Sequence, residues 1–140
     1  FRVGVNLDGK LFGTEPEARL EQPLLWVQAG GAQTSEYTRG RDELLGGLRG
    51  GGTLVSIRGA VHMGFSDSPS FWTAAGRSLL GNTTGAGSIS AADMTSMTAD
   101  AISAFVGPAL GAGHDLTIDQ ALGRHSAISA QARIAPRGVS

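Results

Sequence analysis

Apolar residues gather in three short runs, separated by stretches with a helical rhythm. The runs are "RVGVNL" (2–7), "PLLWVQA" (23–29) and "TLVSIRG" (53–59). Each has the length of an ordinary strand and lacks the i, i+3, i+4 recurrence of an amphipathic helix. The second, opened by Pro23 and closed by Gly30-Gly31, is almost continuously apolar. That pattern belongs to a strand covered on both faces, as in a parallel sheet.

The intervening stretches read as helices. "SEYTRGRDELLGGLRG" (35–50) puts Tyr37, Leu44, Leu45 and Leu48 at helical spacing and ends in a glycine run. "SPSFWTAAGRSLLG" (68–81) offers Ser68 as N-cap and Pro69 at the first helical position, with Phe71, Ala75 and Leu79 on one face. A further helix starts at Ser90, where "SAAD" forms a capping box, and carries Met94, Met97, Ala101 and Phe105 on its apolar face. Residues 81–90 form a loop. Beyond residue 111 the periodicity fades: "TIDQALGRHSAI" suggests a short helix and "APRGVS" a loose tail. The β–α–β alternation predicts an α/β fold of parallel strands with flanking helices. About residues 1–111 are expected to pack, with 112–140 a loosely ordered extension.

Composition narrows the picture. A chain of 140 residues supports one core rather than two. Its 41% apolar and 16% charged content is that of a packed protein, and its 22 glycines imply many tight turns. A net charge of −1 with scattered basic residues gives no footprint for nucleic acid or an anionic membrane. The absence of cysteine excludes disulfides, a thiol nucleophile and zinc–thiolate sites. No apolar stretch approaches the ~18 residues needed to span a bilayer, and no signal-peptide pattern is present, so the compartment is left open. The chain opens on Phe1 and runs straight into strand-like sequence, from which a fragment of a longer protein is expected.

In parallel α/β sheets the ligand site lies beyond the carboxyl ends of the strands. Asp8 ends the first run and His62 follows the third. An Asp that orients a His is the arrangement of a general base, the carboxylate holding one tautomer and stabilising the imidazolium. Spacing alone leaves a second possibility open, in which Asp8 caps a turn and His62 is an ordinary loop residue. A nucleophile elbow, G-x-S-x-G, is missing: Ser56 falls inside a strand, while Ser66 and Ser68 lead into a helix as caps. Phe12 and Phe65 are candidates for a substrate-binding pocket, although Phe65 would serve equally by packing the His62 loop on the core. Trp26 and Trp72 read as core. His114 and His125, near Asp115 and Asp119, lack closely spaced ligand companions, so no metal is expected. "GGLRGGGT" lacks the Lys-Ser/Thr of a phosphate loop and reads as a helix-to-strand turn. Asn82-Thr83-Thr84 is a formal glycosylation sequon.

Taken together, "GVNLDGKLFG", "QPLLWVQAGG" and "LVSIRGAVHMGFSD" resemble, in order and spacing, the C-terminal half of α/β-hydrolase esterases of the platelet-activating-factor acetylhydrolase (phospholipase A2) type. The resemblance runs over about residues 1–75 and loosens towards 111. It implies a truncated α/β-hydrolase fold, with the whole chain the C-terminal portion of a single such domain. In that family a G-I-x-L-D segment supplies the triad acid, here Asp8. An I-R-G-x-x-H-x-x-F-x-D segment supplies the base, here His62. The nucleophilic Ser and the oxyanion donors would then lie upstream of Phe1, leaving these 140 residues inactive alone. No cofactor is implied, and the substrate would be a small-molecule or lipid ester. Two positions depart from the family. The aromatic two residues after the acid is Lys10, and the polar residue after the base is Met63, which bears on preference for a lipid-like substrate. Two alternatives stand beside this reading. One is a non-catalytic half that pairs with an N-terminal partner through residues 1–7. The other is a different reaction on the same fold, such as dienelactone or thioester cleavage.

Overall fold

A computed structural model describes residues 1–11, 20–66, 87–112 and 116–136. The helix expected over 68–81 with Trp72, the sequon at Asn82, Phe12 and His114 all lie outside these residues.

The three apolar runs form β1 (Gly4–Leu7), β2 (Leu24–Ala29) and β3 (Gly52–Ile57), paired parallel in that order. Between β2 and β3 lies α1 (Ser35–Gly47), capped by Thr34, whose hydroxyl accepts the Tyr37 amide. It stops three residues short of the expected end, where Gly46 and Gly47 remove the helix preference. After β3 a 3-10 turn covers His62–Phe65. α2 (Ala91–Leu110) starts as expected at Ser90, which accepts the Asp93 amide at 3.1 Å, and Gly111 ends it in a left-handed cap.

β2 is buried along its whole length, which explains its unbroken apolar sequence. Alternation sends its side chains to two cores. Leu24 and Trp26 pack on Leu44 and Leu45 of α1 and on Leu48, which caps that helix. Leu25, Val27 and Ala29 meet Met94, Met97, Ala101 and Ala104 of α2 on the other face. The result is a sheet covered by helices on both sides, as a parallel sheet requires.

The expectation for residues 112–140 needs correction. Residues 118–134 are part of the fold rather than a loose extension. The short helix α3 (Ile118–Leu122) is closed by a Thr117–Gln120 capping box and buries Ile118, Ala121 and Leu122. β4 (Ile128–Ile134) then pairs antiparallel with β3 and covers its outer edge. Asp119 in α3 is bonded by Arg133 and Gln131 of β4, and these bonds hold its carboxyl below the usual range. The physical reason is edge cover: β3 buries Thr53, Val55 and Ile57, and its unpaired backbone groups need a partner strand.

Candidate functional site

The carboxyl ends of β1, β2 and β3 converge on Asp8. Its amide still bonds β2, donating to the Val27 carbonyl at 2.7 Å, so Asp8 is the last residue held by the sheet. Its φ of 52° is in the left-handed region, the one such non-glycine among the described residues. Asp tolerates that region better than most side chains, yet the conformation still costs on the order of 1 kcal/mol or more. The Asn6 side chain closes the turn, accepting the Gly9 amide at 2.7 Å and donating to the Gly9 carbonyl at 3.3 Å.

The Asp8 side chain is buried, 5% exposed, and both of its oxygens are engaged. Oδ1 accepts the Ala29 amide at 2.9 Å and the Tyr37 hydroxyl at 3.3 Å. Oδ2 lies 3.1 Å from His62 Nδ1. Each donor arrives from a different element: the end of β2, the first turn of α1 and the turn after β3. A carboxylate only accepts, so the imidazole donates from Nδ1 and its lone pair belongs to Nε2. The His62 side chain is 69% exposed, so a reactant has open access to the ring.

The sequence "IRGAVH" has a local geometric reason. Gly59 turns the chain out of β3 with φ 78°, and its carbonyl accepts the Ser88 amide at 2.9 Å. A side chain at position 59 would be strained by that φ and would run into Ser88. Three residues later the 3-10 turn opens with His62, closed by the Gly64 amide on the Val61 carbonyl at 2.8 Å.

The other candidates separate. Phe65 is half-buried and packs against the core beneath α2, while Met63 is exposed beside His62. Lys10 reaches α1 and pairs with Glu36 at 3.0 Å, which holds the Glu36 carboxyl below its ordinary range. Ser56 is buried in the sheet, its hydroxyl accepting from Gln28, whose carbonyl accepts from Arg41. A hydroxyl so enclosed is unsuited to nucleophilic attack. His125 bonds Asp100 of α2 at 2.8 Å through Nε2, tying the turn before β4 to that helix. Among the described residues no three His, Cys, Asp or Glu side chains gather as a metal site. No described helix is long and apolar enough to cross a membrane.

Sequence reasoning missed the polar work of Trp26, which read as core, and of Tyr37, which was placed only by its helical spacing. The Trp26 indole donates to the Tyr37 oxygen at 3.2 Å, and the rings meet edge-to-face with centroids 6.1 Å apart. The signal was present in residue type: a tyrosine on an apolar helix face needs a partner for its hydroxyl. Partial burial and the nearby Asp8 charge push the Tyr37 pKa up to about 12, against the lowering effect of the Trp26 bond.

No family model matches the chain. No curated protein matches it either. Among solved structures, a ferulic acid esterase from Streptomyces cinnamoneus superposes with a TM-score of 0.62 at 25% sequence identity. The match covers 76% of this chain and 32% of that one, so this chain spans about a third of the esterase's length. The α/β sheet with flanking helices is thus the fold of part of an α/β-hydrolase-type esterase.

Proposed function

We propose that the chain carries the acid–base part of a serine carboxylic-ester hydrolase, with His62 as general base and Asp8 as the residue that orients it. The observation that carries this reading is the 3.1 Å contact between Asp8 Oδ2 and His62 Nδ1. It joins a buried carboxylate to an exposed imidazole at the carboxyl edge of a parallel sheet. The likeness to an esterase supports the reaction class.

In this reading the nucleophile is a serine outside the 140 residues. His62 Nε2 takes the serine proton as the serine oxygen attacks the ester carbonyl. Asp8 stabilises the imidazolium, which then protonates the departing alkoxide as the acyl-enzyme forms. In the second half His62 takes a proton from water, whose oxygen attacks the acyl group, and returns it to the serine. No cofactor takes part. The substrate is a small carboxylic ester. An acetylated lipid, as for the acetylhydrolase type, and a feruloyl ester, as named for the Streptomyces enzyme, are the two classes to compare. Lys10, which stands where the acetylhydrolase type has an aromatic two residues after the acid, favours the less lipid-like of them.

The test uses the protein that joins this segment to its nucleophile, assayed with p-nitrophenyl acetate and methyl ferulate. His62→Ala is expected to lower kcat about 10³-fold or more, and Asp8→Ala to follow it closely, since both act as one unit. A loss below tenfold in the His62 variant would sink the assignment. The 140-residue chain alone is expected to hydrolyse neither ester above the buffer rate.

A further inference from the structure

We propose that Tyr37 is a positioning residue for the Asp8–His62 pair: its hydroxyl, held by the Trp26 indole, fixes the Asp8 carboxylate so that Oδ2 faces His62. This inference rests on the reading of that pair as the base of the site.

Hydrogen-bond polarity is fully determined along this chain of groups. The Trp26 indole N–H can only donate, and the Asp8 carboxylate can only accept. Tyr37 Oη lies between them, 3.2 Å from Trp26 Nε1 and 3.3 Å from Asp8 Oδ1, so it accepts from the first and donates to the second. With the Ala29 amide also on Oδ1 at 2.9 Å, that oxygen is occupied and Oδ2 is left for the imidazole.

The exposed ring needs such support. Asp8 is the bonding partner of the His62 ring among the described residues, and the ring is 69% exposed. Its tautomer and orientation therefore depend on which way the carboxylate plane faces. Asp8 holds its left-handed φ just past the last sheet hydrogen bond, so the direction of its carboxylate is set by side-chain partners rather than by strand geometry. Two donors on one oxygen restrict rotation about the Cβ–Cγ bond, where either alone would leave it free to rock. At 3.3 Å the Tyr37 bond is long for a hydroxyl on a carboxylate, so its effect is on direction more than on strength. Trp26 is almost wholly buried in the β2–α1 core, which gives the relay a rigid origin.

The phenol also stays a donor under working conditions, since partial burial and the Asp8 charge keep it protonated far above neutrality.

The experiment reads the imidazole directly in the 140-residue chain, by nitrogen-15 NMR of the His62 ring. The wild type is expected to hold the Nδ1–H tautomer. Tyr37→Phe keeps the ring and removes the hydroxyl. In a folded Tyr37→Phe chain the ratio of the Nδ1–H to the Nε2–H tautomer is expected to fall about fivefold, which corresponds to one ordinary hydrogen bond. An unchanged tautomer ratio in that folded variant would overturn the inference and leave the Asp8–His62 reading standing. Absence of any tautomer preference in the wild type would overturn the pair itself, and the inference with it.

A second measurement covers the case in which the variant does not fold. Tyr37 is the single tyrosine of the chain, so biosynthetic 3-fluorotyrosine gives one fluorine-19 signal. That signal is expected to shift at the same pH midpoint as the His62 ring protons. A fluorine signal flat through the His62 midpoint would show the hydroxyl uncoupled from the pair and overturn the proposal.

Discussion

Asp8 shows how much of the site depends on one side chain's ability to accept. Three donors meet its carboxylate, and its own φ of 52° is one that few residues tolerate. Asp8→Asn keeps the turn preference and an oxygen for Ala29 and Tyr37, but turns an N–H₂ towards His62. The ring must then accept at Nδ1 and carry its proton on Nε2, the wrong nitrogen for a base. The expected outcome is a folded chain, within about 1 kcal/mol of the parent by urea unfolding, whose nitrogen-15 pattern is inverted. Retention of the Nδ1–H pattern in Asp8→Asn would contradict the donor assignment. Asp8→Ala differs, because it orphans the Tyr37 hydroxyl and the Ala29 amide, and should cost about 2–4 kcal/mol. Tyr37 adds a pH dependence at the same scale. Its pKa is raised in the fold from 10.0 to about 12. A raised folded value means that this contribution to stability is fully present below pH 10, the unfolded value, and is lost as pH rises through 12. Phenolate absorbance in the single-tyrosine chain should therefore titrate near 12 when folded and near 10 in denaturant. Equal midpoints in the two states would remove the argument.

Elements carry the site by where they end. β2 and β3 close together at Gly30, whose amide donates to the Ile57 carbonyl at 2.8 Å. A Cβ at position 30 would stand 2.8 Å from that same carbonyl oxygen and 3.0 Å from the Arg58 nitrogen, both backbone atoms with little freedom to yield. Gly30→Ala should push apart the strand ends that hold Ala29 and lead to His62, costing about 1–3 kcal/mol in thermal or urea unfolding. Gly59→Ala should cost about 1–2 kcal/mol from its positive φ alone. A variant at either position with parental stability would show that the strand ends accommodate more than this packing allows. The strands themselves were legible because their hydrophobic runs are short and dense, and the Ser90 cap because its chemistry is local. Asp8 and His62 were legible as strand-end residues, and their contact follows from β1 and β3 both flanking β2. β4 was not, although Ile128, Ala130, Ala132 and Ile134 do alternate with Ser129, Gln131 and Arg133. Two of its four apolar positions are alanines, which favour strands weakly, so the pattern carries little signal until β3 supplies an edge to cover. The Trp26–Tyr37–Asp8 relay was hidden for another reason. It joins residues from three elements, and nothing in local spacing reports that their polar ends meet.

At the scale of the whole molecule the sheet is asymmetric. In the order β1-β2-β3-β4, β4 covers β3, while the outer side of β1 has no strand beside it among the described residues. Gly4 and Asp8 turn their amides to β2, at 2.9 and 2.7 Å, so the alternate residues Val5 and Leu7 aim theirs away from it. Apolar exposure gathers at the same place, with Phe1 83%, Val5 38% and Leu11 43% exposed on or beside this strand. An open edge flanked by exposed apolar side chains is a site for strand pairing. Among the described residues this edge is available for another strand, whether from a longer protein or from a second copy. The 140-residue chain is therefore expected to self-associate with rising concentration, as read by sedimentation velocity. Val5→Pro removes an outward amide without taking a bond from β2, and proline is tolerated at such edge positions. It should lower association severalfold while the His62 ring signals stay at their parental positions. If the chain stays monomeric at high concentration, or if Val5→Pro associates as the parent does, the edge is not the contact. Preserved ring signals in a monomeric variant would show in addition that the Asp8–His62 geometry is built within this chain and owes nothing to the strand that pairs with it.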